Sequence, residues 1–415
     1  MNTLRKCSLF VLPVLFVTAI ISGAQRDYNA EVQAITKRPE VEKALAYPDA
    51  HKDSILTEWR TITEIPAPSG KEAKRAAFVQ KLLKSYGLTD IHIDESGNVI
   101  GIRKGTGGGP RVVMDAHLDT VFTDKTDVTT KVKDGRIYAP GCGDDTRNVE
   151  ALLASIRALN EAKVKTKGDI VFVFTTREEV GLGGAEEYIK RNKEKIDYYV
   201  ALDGGYEGFT YGGIGINWYK FHFIGPGGHT RSQTPPYSAT LPLGRTITRI
   251  GDLKLPTSPR ANLNIGMLGG SDVVNAKAAD AWFSLDLRST NNDDITALEK
   301  QVLDIANEEA QRAGLAFKLE RISSVKAAQI PGARDSEVVK IAEAVHLAAG
   351  FDNPPITNAG SNNATEALLA GIPAISTGAG ITGNSHAVDE WCDIDSIYKG
   401  IRKITLLELA YAGMQ

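Results

Sequence analysis

Cysteine is nearly absent from this chain of 415 residues, which has only Cys7, Cys142 and Cys392. That scarcity excludes a disulfide-scaffolded fold. With no Cys-x-x-Cys pair, it also gives no reason to read the cysteines as metal ligands. Charge of one sign is missing too. Forty-eight Lys and Arg against 51 Asp and Glu leave a net charge of −3, so nothing points to nucleic acid or an anionic membrane surface as a partner. There is no internal repeat, low-complexity tract or block of like charges, which removes repeat arrays and charged tails from consideration. What remains is 42% hydrophobic and 24% charged, an ordinary globular make-up in a chain long enough for two domains.

The longest apolar stretch, Leu9 to Ile21, follows Arg5 and Lys6 and leads into Ser22-Gly23-Ala24. A basic start, a short apolar run and small residues describe a secretory signal peptide over 1–24. The run is short for a membrane span, and Pro13 within it suits a removable segment better than an anchor. The expectation is an exported chain, secreted or periplasmic, with no membrane attachment after removal of the signal. Cys7 lies too early for a lipid-attachment site. Cys142 and Cys392 are expected to be separately buried thiols, with a single bridge as the alternative.

Residues 39–65 read as helical, and 71–86 as an amphipathic helix closed by Gly87. Segments 90–95 and 99–103 alternate about Ser96-Gly97-Asn98 as a hairpin. Apolar runs at 112–114, 170–174, 198–202 and 373–376 then alternate with helices at 149–163, 184–192 and 364–370. That alternation predicts an α/β fold, with a mostly parallel mixed sheet flanked by helices. Between 217 and 327 the texture changes to strand 218–223, helix 241–250, strands 261–267 and 279–287, helix 294–313 and strand 317–322. This β-α-β-β-α-β order is that of a ferredoxin-like sandwich. The expected organisation is a catalytic domain in two parts, 25–216 and 328–415, with an inserted lid domain at 217–327.

Candidate chemistry gathers where the apolar runs end. In an open α/β sheet the carboxyl ends of the strands face one crevice, where ligands bind. His117 and Asp119 stand just beyond the first run, and a carboxylate near a metal-bound imidazole fixes its tautomer. Asp144 sits in Gly141-Cys142-Gly143-Asp144-Asp145, and helix capping does not explain that Gly-rich approach. A carboxylate bridging two metal ions does. Glu178-Glu179 precedes Val180-Gly181-Leu182-Gly183-Gly184, whose glycines let one carboxylate bind metal while the other overhangs the metal's water. Asp203 ends the third run and His386 follows the last. His51, His92, His222 and His346 have no convergent partners and are expected to be structural.

The set His117-Leu-Asp119, Gly-Asp144-Asp145, Glu178-Glu179, Asp203-Gly and Asn-Ser-His386 resembles the di-zinc exopeptidase and amidohydrolase family. That family contains peptidase T, glutamate carboxypeptidase, aminoacylase and succinyl-diaminopimelate desuccinylase. Ile65 to Glu72, Ser-Gly-Asn98, Gly227-Gly228-His229, Asn275 and Asp286-Leu-Arg288 match as well, so the likeness covers nearly the whole chain beyond residue 24. Asp203 followed by two glycines leans towards the peptidase T-like branch. The resemblance implies two Zn2+ per subunit, with Co2+ or Mn2+ as substitutes. Asp144 would bridge them, His117 and Asp203 would complete one site, and Glu179 and His386 the other. It implies Asp119 and Glu178 as catalytic groups, the latter as general base and then acid. His229 would reach the reaction centre of a partner subunit in a lid-mediated homodimer, and Arg288 and Asn275 would bind substrate. Two departures, Thr146-Arg147-Asn148 and Ser361-Asn362-Asn363, lie near the expected pocket. The implied activity is aminopeptidase action on di- or tripeptides. Carboxypeptidase or N-acyl amino-acid deacylase activity is the alternative, and a catalytically silent peptide-binding protein the remote one.

Overall fold

The computed structural model describes residues 26–231 and 237–415, so the expected signal peptide lies outside the described residues. The centre is an eight-stranded mixed sheet with helices packed against it. In spatial order its strands are Thr89–Ile93, Val99–Arg103, Ile170–Thr175, Val112–His117, Tyr198–Ala201, Ala374–Ser376, Phe209–Thr210 and Ile356–Thr357. The four strands from Ile170–Thr175 to Ala374–Ser376 are mutually parallel. Val112–His117 and Ile170–Thr175 are buried at every position. Parallel strands covered on both faces lack polar alternation for that reason.

The register levels the ends of these strands. His117 pairs with Thr175, Asp115 with Ala201, and Ser376 with Ala201. Four successive chain exits therefore leave the sheet on one edge. The helix Thr146–Glu161 connects two of the strands and is buried over most of its length. The helix Ile394–Ala412 packs beside it, N-capped by Asp393, whose side chain accepts from the amide of Ser396.

Residues 215–325 form a second layer. Strands Asn262–Asn264, Asp280–Ser289, Gly215–Ile224 and Ala316–Val325 make an antiparallel sheet in that order. Helices Thr240–Gly251 and Asn292–Ala313 pack together against it. The longer helix buries Ile295, Leu298, Val302, Ile305 and Ala306 at three- to four-residue spacing. Asn291 caps its N-terminus, and Gly314 closes it in the left-handed region at φ +66°.

The structure departs from the sequence reading mainly in boundaries. Residues 39–65 form two helices, Pro39–Ala50 and Lys52–Thr63, broken at His51. The strand read at 261–267 is shorter, and that read at 317–322 is longer. Helices Tyr28–Thr36 and Ile394–Ala412 are absent from the sequence reading, although Asp27 and Asp393 cap their N-termini and Gly413 follows the second. A four-stranded sheet of Thr382–Gly383, Trp391–Asp393, Arg136–Tyr138 and Lys131–Lys133 was not foreseen, because its strands are very short and come from distant segments.

Candidate metal centre

His117 is the last residue of its strand, Glu178 lies three residues beyond Thr175, and Asp203 two beyond Ala201. His386 reaches the same edge on a longer loop, with its backbone in the left-handed region at φ +66°. Nε2 of His117 lies 3.0 Å from Oδ1 of Asp144. Nε2 of His386 lies 3.3 Å from Oδ2 of Asp144 and 3.1 Å from Oε2 of Glu179. One carboxylate thus turns each of its oxygens to a different imidazole. Three sets of ligand atoms lie within 4.8 Å of one another: His117 with Glu178 and Asp203, His117 with Asp144 and Glu179, and Asp144 with Asp145 and Asp203. Oε1 of Glu179 is buried without a hydrogen-bond partner, and an unpaired buried carboxylate oxygen is costly. A divalent cation would relieve it, and mixed imidazole and carboxylate donors suit zinc, with manganese or cobalt feasible. The residues fit a two-cation centre.

Asp119 is fully buried and does more than face an imidazole. Its Oδ1 lies 3.5 Å from Nδ1 of His117, which is also 3.1 Å from the Asp119 carbonyl. The same carboxylate accepts the amides of Glu178 and Glu179 and the hydroxyl of Ser69. Asp119 therefore orients the imidazole and also fixes the turn carrying both glutamates. Asp145 accepts the amide of His117 at 3.0 Å, so the second aspartate of the pair stabilises the strand end.

Three buried charges stand behind the ligand loops, and the sequence reading names only Arg147 among them. Glu390 accepts amides of the Asp144 loop. Lys403 donates to the carbonyls of Tyr206 and Gly378 and to Thr377 Oγ1. Arg147 donates to the Gly204 carbonyl at 2.9 Å. Arg147 belongs to the first departure near the pocket. It is buried beneath the Asp203 loop, and Asn363 is buried against Thr175. Both departures support the ligand loops from behind. A charged residue amid apolar ones, as in Ile401-Arg402-Lys403-Ile404, was the available signal for Lys403.

Without metal, the charges in the cluster oppose one another. Hydrogen bonding to Asp144, helped by the Glu179 charge, raises His386 to about 9. Burial raises Glu179 to about 7 and Asp203 to about 6, in each case reinforced by the Asp144 charge. Burial also pushes Glu178 well above the usual carboxylate range. Burial would raise Asp144 as well, but hydrogen bonds from His117 and His386 outweigh it and hold this carboxyl low. Burial opposes charge on His117, yet the Asp145 charge and bonds to Asp119 and Asp144 take its pKa well above the ordinary imidazole value. The imidazoles thus serve as cations, a role that metal would take over by displacing their protons.

The lid residues stand apart. His229 is exposed on a two-stranded ribbon, where it pairs with Ala276. Its Nδ1 accepts the amide of Arg231, and the Asn275 carbonyl accepts that of Thr230. Arg288 is ion-paired with Asp286 at 3.1 Å. Among the described residues no hydrogen bond or ion pair joins these three to the His117–His386 cluster. Cys142 and Cys392 are free, buried thiols, as expected, and Sγ of Cys142 lies 3.7 Å from the carbonyls of Ile137 and Glu390.

A mostly parallel α/β sheet with a ferredoxin-like lid and a cation-binding edge defines a class, the metal-dependent hydrolases of amide bonds. Residues 113–407 match the model of peptidase family M20/M25/M40, and the chain belongs to that family. It is 26% identical to carboxypeptidase G2 of Pseudomonas sp. (strain RS-16), over 93% of this chain and 94% of that one. Its fold is like that of a tripeptidase from Staphylococcus aureus, with a TM-score of 0.78, 24% identity, and coverage of 87% of this chain and 98% of that one. The aminopeptidase PepT from Bacillus cereus is similar, with a TM-score of 0.77, 20% identity, and coverage of 87% and 99%.

Proposed function

We propose that this chain is an exported two-metal exopeptidase that hydrolyses a terminal amide bond of short peptides, acting first as an aminopeptidase on di- and tripeptides. The observation that carries the reading is Asp144, whose two oxygens face the imidazoles of His117 and His386. His117 and Asp203 complete one site and Glu179 and His386 the other. Bound zinc would polarise the scissile carbonyl and acidify a water. Glu178 takes the proton of the attacking water and returns it to the leaving amine, a task suited to a carboxyl whose pKa burial has raised. Asp119 keeps His117 in one tautomer and sets the Glu178 turn. His229, Asn275 and Arg288 act from the lid, His229 in the site of a partner subunit.

Glu178→Ala tests the reading. Binding of two zinc ions per subunit should persist while turnover falls by about 10²- to 10⁴-fold, the usual contribution of general acid–base catalysis. Unchanged turnover would remove Glu178 from the mechanism. Carboxypeptidase action is the second reading, favoured by the near full-length likeness to carboxypeptidase G2. Peptides with a free amine, peptides blocked at the amine and N-acyl amino acids, assayed with zinc, separate the readings. Exclusive deacylation would refute the aminopeptidase assignment. A silent binding protein is disfavoured because neither the base nor any ligand is missing. Export predicts a mature N-terminus near Gln25, read by N-terminal sequencing of the protein from its host.

A further inference from the structure

We propose that Glu390 is a positioning residue for the metal centre, clamping the Gly141–Asp144 loop so that Asp144 and His386 stand in one fixed relation before metal arrives. The inference rests on the two-metal reading of the site and adds a residue to it. Glu390 is completely buried. Its Oε1 accepts the amides of Gly143 at 3.0 Å and Asp144 at 2.7 Å, and its Oε2 accepts that of Gly141. Three converging N–H groups from one short loop match a carboxylate and no neutral side chain, because only a carboxylate accepts on both of its termini.

The clamp also ties two ligands together. Glu390 lies four residues after His386, and its amide closes a turn on the Ala387 carbonyl at 3.1 Å. Its own carbonyl accepts the amide of Ala139 at 3.2 Å. Beyond it, Trp391 and Cys392 pair with Tyr138 and Ile137 in the small sheet. The segment bearing His386 and the segment leading to Asp144 are thus bonded through both the side chain and the backbone of one residue. His386, held in the left-handed region, depends on such neighbours to keep a conformation that L-residues rarely adopt.

Gly143 gives an independent sign of the same constraint. A Cβ there would lie 2.1 Å from Oγ1 of Thr382, 2.6 Å from Oε1 of Glu390 and 3.0 Å from Sγ of Cys392. The glycine at 143 is therefore explained by Thr382 and the Glu390 carboxylate packed against it together. Any side chain at Gly143 would push Thr382 and the clamp away without changing a charge.

The test compares wild type, Glu390→Gln and Gly143→Ala, each stripped with a chelator and titrated with zinc in a calorimeter. The first substitution would set a side-chain amide N–H against a backbone N–H, and the second would displace an intact carboxylate with a methyl group. Both variants should bind zinc roughly 10- to 100-fold more weakly, the usual effect of losing a group that orients a ligand. Their cobalt(II)-loaded forms should show shifted visible absorption bands, which a general loss of stability would not produce. Hydrogen exchange on metal-free wild type needs no variant, and there the amides of Gly141, Gly143 and Asp144 should be protected. Folded variants with wild-type zinc affinity and cobalt spectra would overturn the proposal, as would free exchange of those three amides. If wild type itself binds fewer than two zinc ions per subunit, the two-metal reading fails, whatever the variants do.

Discussion

Replacing Asp119 with Asn changes one atom and removes one negative charge from a fully buried position. Oδ1 accepts the Glu178 amide at 2.9 Å, while Oδ2 accepts the Glu179 amide at 3.2 Å and the Ser69 hydroxyl at 2.6 Å. An asparagine keeps one acceptor oxygen and turns the other into a donor. Placed at Oδ1, the new NH2 opposes the Glu178 amide and Nδ1 of His117; placed at Oδ2, it opposes the Glu179 amide. Either way one charge-assisted hydrogen bond is lost and a buried donor is left unpaired, at a cost of about 3 kcal/mol given ~1.5–3 kcal/mol for a bond to a charged group. His117 also loses the carboxylate beside its ring, which should weaken zinc binding by roughly 10- to 100-fold. Urea unfolding of the metal-free proteins measures the first effect, and zinc titration the second. Stability within about 0.5 kcal/mol of wild type, together with unchanged zinc affinity, would refute the claim that Asp119 holds both the imidazole and the Glu178 turn.

Zinc binding should release protons. At pH 7 both imidazoles are charged and Glu179 is about half protonated, so filling both sites should displace about two to three protons per subunit. Affinity should therefore rise with pH between 7 and 9 as His386 loses its proton, and should weaken in acid. Calorimetry in buffers of different ionisation enthalpy counts the protons, and a count of zero contradicts the charge assignment. Cys142 and Cys392 should resist a thiol reagent in the folded protein and react once the chain is unfolded; no reaction after unfolding would mean that they are bridged. Gly184→Ala should cost about 2–3 kcal/mol as an overpacking change. Its Cβ would lie 2.3 Å from the Thr176 carbonyl and 2.5 Å from Oδ1 of Asn98. Wild-type stability in a thermal melt would show that the Glu178–Gly184 turn can relax.

The chemistry was legible where a site residue lies near the end of an apolar run, and buried parallel strands write such runs without alternation. His117, Glu178 and Asp203 could be placed in this way. The lid was legible from its order of strands and helices, while the bounds of its strands shifted, the long ones outward and the one read at 261–267 inward. The small sheet joining Arg136–Tyr138 to Trp391–Asp393 left no such trace. Its strands have two or three residues each, and Arg136–Tyr138 pairs with Trp391–Asp393 across some 250 positions.

The sequence by itself determined the class of fold, the sheet edge at which ligands gather and the kinds of donor atoms found there. These follow from hydrophobic period and residue chemistry, which act locally. Only the tertiary structure decided that Asp144 turns one oxygen to each imidazole. It also decided that Asp119 holds two glutamate amides, and that Glu390, Arg147 and Lys403 support the ligand loops from behind. Those relations depend on distances between segments far apart in the chain, and a buried charge reveals its purpose only when its partners are in place.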